Sequence, residues 1–255
     1  MKDFLQVRKL AIGYKGKRIA ENVDLRLNGG VTALIGRNGV GKSTLIKTLT
    51  GNLKPLEGEI EICGKPLGEY DLKALSKTVS LVATDFNQAG GLRLHELVAL
   101  GRIPYTGKFG KLDKNDKDKI EAAIEKVGLT HKKDAFVAEL SDGERQKGNI
   151  ARGLVQETPL IIMDEPFSFL DVASRLEMME IMRELTDSEK MTILYSTHEV
   201  TEALKSADRI WLMSRGEVKE GSPTEIIDSG AIEMLFDNPR IKFDIEKESF
   251  YLENK

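Results

Sequence analysis

Gly36-Arg37-Asn38-Gly39-Val40-Gly41-Lys42-Ser43-Thr44 is a run whose residue types and spacing suit one task, the grip of a nucleoside triphosphate. Gly36 and Gly41 bracket four residues ahead of Lys42 and Ser43, the G-x-x-x-x-G-K-[ST] arrangement. Its glycines let the backbone curl so that N–H groups point at phosphate oxygens, and the helix that follows adds partial positive charge from its N-terminus. Lys42 is placed to neutralise the outer phosphates, and the Ser43 hydroxyl to take one position on Mg²⁺. The loop predicts ATP or GTP binding without fixing a reaction.

The apolar run Leu160-Ile161-Ile162-Met163 ends in Asp164 and Glu165. A buried parallel strand would present both at its carboxyl end, where α/β sheets bind ligands. Asp164 can hold Mg²⁺ directly or from behind its ligands, and Glu165 can polarise a water for in-line attack on a γ-phosphate. His198 follows a second apolar run in Ser196-Thr197-His198 and can hydrogen-bond the γ-phosphate and sense its hydrolysis. His95 and His131 stand outside this series and read as ordinary histidines. Ser141-Asp142-Gly143-Glu144 has the S-x-x-E form of a capping box, opening a helix whose inner face carries Ile150, Ala151, Leu154 and Val155. An anion is a natural ligand for such a helix start.

These residues need a scaffold, and the chain supplies the pattern of one. Val23, Leu25 and Leu27 alternate with polar residues, as do Ile60 and Ile62, which predicts a small antiparallel side sheet near the N-terminus. Val31 to Ile35, Leu160 to Met163, Thr192 to Tyr195 and Arg209 to Met213 are short apolar runs suited to buried parallel strands. Helical spacing covers Thr44 to Leu49, Asp113 to Val127 and Leu176 to Leu185, with Gly128 as a stop. The fold class is α/β: a phosphate-loop NTPase core with a parallel sheet, an N-terminal antiparallel β part and an inserted helical part. Residues 1–230 are expected to form one domain, with a helical lobe at about 92–155. Residues 231–255 form a short extension carrying Phe236, Phe243, Phe250 and Tyr251.

Composition narrows the setting. With 255 residues and 40% hydrophobic content, one sizeable core is expected. A formal net charge of -3 gives no basic field for nucleic acid, so no nucleic-acid partner is expected. Cys63 is the single cysteine, which excludes an intramolecular disulfide and fits a reducing cytosol. No signal peptide or apolar stretch of about 20 residues stands out, so work at a membrane would go through another subunit.

Taken with its order of motifs, the chain resembles the ATP-binding subunits of ABC transporters over nearly its whole length. The family's signature, usually LSGGQ, is Leu140-Ser141-Asp142-Gly143-Glu144 here, and Asp171 after Ser168-Phe169-Leu170 matches its D-loop. Tyr14, 22 positions before Gly36, stands where the family stacks an aromatic on adenine. The resemblance implies ATP and Mg²⁺ as cofactors and head-to-tail pairing with a second copy. Ser141, Asp142, Gly143 and Glu144 of one chain would then complete the ATP site of the other, with Lys42, Glu165 and His198 as catalytic residues. It also implies integral-membrane permease subunits, indirectly a substrate-binding protein, and a peripheral place on the cytoplasmic face of the membrane. One departure stands out: where the family has a glutamine that touches Mg²⁺, this chain has Thr84. Thr84, Asp85 or Gln88 is expected to take over part of that role.

Glu96, Val98, Gly101, Arg102 and Pro104 form the E-x-V-x-x-G-R-x-P pattern of importers for iron-siderophore, haem or cobalamin. Tyr105, Lys108, Phe109 and Lys111 would suit docking on a permease loop. Two rivals share most of these motifs: a soluble ABC ATPase of iron-sulfur cluster assembly, and a non-hydrolysing nucleotide-dependent scaffold.

Overall fold

The computed structural model describes residues 3–83, 91–107, 110–236, 238, 240–244, 247 and 249–253. The chain opens with strands β1 (Leu5–Tyr14), β2 (Lys17–Leu27) and β3 (Gly30–Ile35), helix α1 (Lys42–Leu49), and strands β4 (Glu57–Ile62) and β5 (Lys65–Pro66). Next come α2 (Leu72–Ser76), β6 (Val79–Val82), α3 (Leu94–Ala99), a 3₁₀ segment at Leu100–Tyr105, α4 (Lys114–Lys126), α5 (Asp142–Leu154), β7 (Leu160–Met163) and α6 (Val172–Ser188). The remainder is β8 (Thr192–Thr197), α7 (Val200–Ser206), β9 (Arg209–Ser214), β10 (Glu217–Gly221), α8 (Pro223–Asp228), and the pair β11 (Ile241–Asp244) and β12 (Ser249–Leu252).

Two compact units divide this chain. One contains the residues up to Glu69 and those from Leu194 onward; the other is Tyr70–Ile193. In the first unit β1 pairs antiparallel with β2 and β4, setting Leu5 opposite Leu27 and Val7 opposite Ile60. Val23, Leu25 and Leu27 are each 1% exposed, so the polar alternation expected of this side sheet is what buries one of its faces. In the same unit β3 runs parallel to β9 and β10 antiparallel to β9. Val31 to Ile35 are buried throughout, as a strand covered on both faces requires. Each such fully buried aliphatic contributes about 1.5–3 kcal/mol.

In the second unit β6 lies parallel to β7, with Val79 beside Leu160 and Val82 beside Met163. α4 starts where Asp113 accepts from the Asp116 N–H at 2.8 Å and ends before Gly128, whose φ of 73° suits glycine. Ile120 and Ile124 are buried on the face the spacing indicated. α6 begins at Val172, earlier than the apolar spacing suggested, because Asp171 caps it by accepting from the Ser174 N–H at 2.7 Å. Back in the first unit, three of the C-terminal aromatics meet beside the paired strands β11 and β12. Phe250 stands edge-on to Phe236 at 4.9 Å and to Phe243 at 5.0 Å.

Candidate active site

The phosphate loop joins β3 to α1, with Lys42 as the first helical residue. Gly41 has φ 120° and touches the core so closely that an added Cβ would lie 2.3 Å from Ile19 Cγ2 and 2.7 Å from Met213 Cε. Both backbone angle and space therefore demand glycine. Gly36 is likewise pressed against the Met213 carbonyl. Lys42 is buried, and its Nζ donates to the Gly36 carbonyl at 2.8 Å and to the Arg37 carbonyl at 3.4 Å. The ammonium is thus held over the loop it would serve. Arg37, Asn38, Gly39 and Ser43 are exposed, while Thr44 is buried in the first turn of α1.

Tyr14 closes β1 opposite Lys17 and is 49% exposed. His198 follows β8 and is exposed, with Nε2 3.6 Å from Glu199 Oε1. Thr197 Oγ1 accepts from the Glu199 N–H at 3.0 Å and sets the turn that carries the imidazole.

The remaining candidates belong to the second unit. Asp164 N–H donates to the Val82 carbonyl at 2.8 Å, which continues the β6–β7 pairing to the carboxyl end of β7. Glu165 comes next with φ 47°, a left-handed conformation that costs a non-glycine residue about 1–3 kcal/mol. The Glu165 carbonyl accepts from the Ser168 N–H at 3.3 Å and from Ser168 Oγ at 3.1 Å, closing the turn that fixes this conformation.

At the start of α5 the expected capping box is present in both directions. Ser141 N–H donates to Glu144 Oε2 at 2.8 Å, and Glu144 N–H donates to Ser141 Oγ at 3.2 Å. The Ser141 backbone bond holds the Glu144 carboxyl below its usual range, with Lys132 adding to the effect. Ser141, Gly143, Glu144, His131, Phe169 and Asp171 share an open concavity of about 500 Å³. Asp171, bonded by the Ser174 N–H, also has a lowered pKa. The structure therefore brings the signature segment and the D-loop residue to one surface.

Several contributors escaped the sequence reading. Arg145 pairs with Asp142 three residues before it and also donates to the Leu140 carbonyl. The i,i+3 spacing of opposite charges on a helix was the signal for it. His131 lines the signature concavity, and no sequence pattern marked it. Met213 and Ile19, which shape the phosphate loop from below, come from strands remote in sequence. Thr84, Asp85, Gln88, Lys108 and Phe109 lie outside the described residues.

A glycine loop between strand and helix, carrying a buried lysine, defines a phosphate-binding α/β protein, and a carboxylate pair after β7 and a capped signature helix accompany it. The family model for ABC transporters matches residues 20–168. An uncharacterized ABC transporter ATP-binding protein of Methanocaldococcus jannaschii is 35% identical over 91% of this chain and 81% of its own. The ferric enterobactin transport ATP-binding protein FepC of Escherichia coli is 32% identical over 91% of this chain and 86% of its own. Among solved structures, an inward-facing transporter assigned to the metal-chelate type superposes with a TM-score of 0.81 at 28% identity, covering 98% of this chain and 96% of that one. The chain belongs to the ABC transporter family, with the ABC ATPase fold, and is an ATP-binding ATPase.

Proposed function

We propose that this ATPase pairs head to tail with a second copy around two Mg-ATP and drives a membrane permease that imports a metal chelate of the iron-siderophore, haem or cobalamin kind. The observation that carries the pairing is that Ser141, Gly143 and Asp171 line one concavity at the capped start of α5. Such a helix start has N–H groups and partial positive charge to offer a γ-phosphate. The cargo is supported by the ferric enterobactin relative and the metal-chelate transporter, and the import direction by the importer-like pattern over Glu96 to Pro104. Among the described residues no helix is long and apolar enough to cross a membrane. The reading therefore places the chain peripherally on the cytoplasmic face, bound to the permease, with a substrate-binding protein acting beyond it.

Within this scheme residues 1–230 act as one ATPase domain with the lobe at about 92–155 inserted, and 231–255 as an extension. Tyr14 stacks on adenine, and Gly36 to Thr44 wrap the phosphates. Lys42 balances their charge. Hydroxyl and carboxylate donors suit Mg²⁺, which Ser43 and Asp164 would hold, with a further donor from Thr84, Asp85 or Gln88. The ion supplies charge neutralisation on the phosphate oxygens. Glu165 accepts the proton of a water whose oxygen bonds to the γ-phosphorus while the bond to the bridging oxygen of ADP breaks. His198 donates to the γ-phosphate and registers its loss. The turn that holds Glu165 at positive φ gives its carboxylate a fixed origin.

The test is recovery of the tagged chain from detergent-solubilised membranes of its own organism. Co-purification of a polytopic permease is expected; soluble cluster-assembly proteins with an empty membrane fraction would contradict the reading.

A further inference from the structure

Arg102, the arginine of the E-x-V-x-x-G-R-x-P pattern, does not face solvent. It is 3% exposed and sits within a polar cluster of the second unit. Its Nε donates to Asp116 Oδ1 at 2.8 Å, and its Nη1 donates to the Val155 carbonyl at 2.9 Å and to Glu157 Oε2 at 2.8 Å. Tyr105 stacks over the guanidinium at 4.0 Å and donates its hydroxyl to the Gln156 carbonyl at 2.8 Å. Lys119 shares the same Glu157 oxygen at 2.6 Å. Burial opposes ionisation of Asp116, but the Arg102 hydrogen bond and the Asp113 backbone outweigh it and hold the carboxyl below its usual range.

One side chain thus ties three elements together: the Leu100–Tyr105 segment, α4, and the C-terminal end of α5. Val155 caps α5, so the cation also lies at the negative end of that helix. Ser141 caps the opposite end, about 20 Å away for a helix of this length. Between the ends, the approach is close: an added Cβ on Gly101 would stand 2.3 Å from the Arg152 carbonyl, and one on Gly148 would stand 2.8 Å from Leu94 Cδ1. Such packing transmits displacement instead of absorbing it. Leu100 and Ile103 of the same segment are 40% and 60% exposed, so it can be pushed from outside.

We propose that Arg102 is a positioning residue that makes residues 94–105 and the signature helix α5 one rigid lever, carrying a permease's movement to Ser141 at the far end. The inference rests on the transporter reading above. It separates Arg102, which couples, from the residues that bind and hydrolyse ATP.

The experiment compares ATP hydrolysis by the chain alone and by the complex recovered from membranes. Arg102→Met is expected to lower kcat of the complex about tenfold, with KM for ATP and the activity of the chain alone each within about twofold. Arg102→Lys, which keeps the charge but not the fork, should restore part of the loss. Arg102→Met combined with Asp116→Asn leaves no buried charge unpaired at position 116 and should show the same split if the single variant folds poorly. Equal losses in both preparations, or an unchanged kcat in the complex, would overturn the proposal. A wild-type chain that its co-purified membrane proteins do not stimulate would overturn the transporter reading itself.

Discussion

Ser141 and Glu144 satisfy each other at the start of the signature helix: the Ser141 N–H donates to the Glu144 carboxylate at 2.8 Å, and the Glu144 N–H donates to the Ser141 hydroxyl oxygen at 3.2 Å. The segment proposed to touch a partner's ATP is thus also what holds the helix in place. A side chain that caps a helix cannot be removed without structural cost, and Ser141→Ala should lose about 1 kcal/mol of stability along with activity. Urea unfolding beside a phosphate-release assay checks both.

The same pair gives stability a pH dependence. Because folding lowers the Glu144 pKa from its ordinary 4.5, its contribution is present above about pH 4.5 and is lost as pH falls through the lower folded value. Glu144→Gln keeps the acceptor but not the charge, so it should flatten that part of the stability curve. An unfolding midpoint that falls equally steeply in both proteins below pH 4.5 would contradict this.

Asp142 and Arg145 form the second linked pair. Removing Arg145 leaves the Asp142 carboxylate unbalanced where a triphosphate is proposed to bind, so Arg145→Ala should raise KM for ATP about two- to fivefold at low salt, in line with the 0.2–1 kcal/mol of an exposed pair. Adding Asp142→Gly should recover most of the loss. Steady-state kinetics at two ionic strengths read the effect, which salt should weaken.

Glu165 makes a contrast between stability and chemistry. Its φ of 47° is strained for any residue with a Cβ, so Glu165→Gly should be no less stable than wild type while hydrolysing ATP at least about a hundredfold more slowly. Thermal unfolding and single-turnover hydrolysis, measured on one preparation, separate the two effects.

Gly41→Ala tests the loop's construction. With Ile19 Cγ2 only 2.3 Å from the new methyl and φ at 120°, the loop must shift, and ATP binding should weaken at least about tenfold. Equilibrium titration with a fluorescent ATP analogue measures it.

Much of this was legible in the sequence because local chemistry dictates it. The spacing of Gly36, Gly41 and Lys42 fixes a phosphate loop wherever strand and helix flank it, and Ser141 with Glu144 spells its own cap. Ile120, Ile124 and Gly128 gave α4 its buried face and its end. What the sequence concealed depends on contacts between distant segments. Arg102 stands in the E-x-V-x-x-G-R-x-P pattern with nothing in the sequence to mark Asp116 and Glu157 as its partners. Met213 offers no sign that it lies beneath the phosphate loop. Phe243 and Phe250 meet because β11 and β12 pair and set them opposite each other.

The central claim is that two chains must meet to hydrolyse ATP, with Glu165 as the base. It is tested most directly by phosphate release from Mg-ATP across a range of chain concentrations, for the wild type and for Glu165→Gln. The account predicts a specific activity that rises with chain concentration before levelling off, and turnover lower by at least about a hundredfold in a variant that still binds ATP and dimerises. A specific activity independent of concentration down to the dilute limit, or near-wild-type turnover by Glu165→Gln, would contradict it.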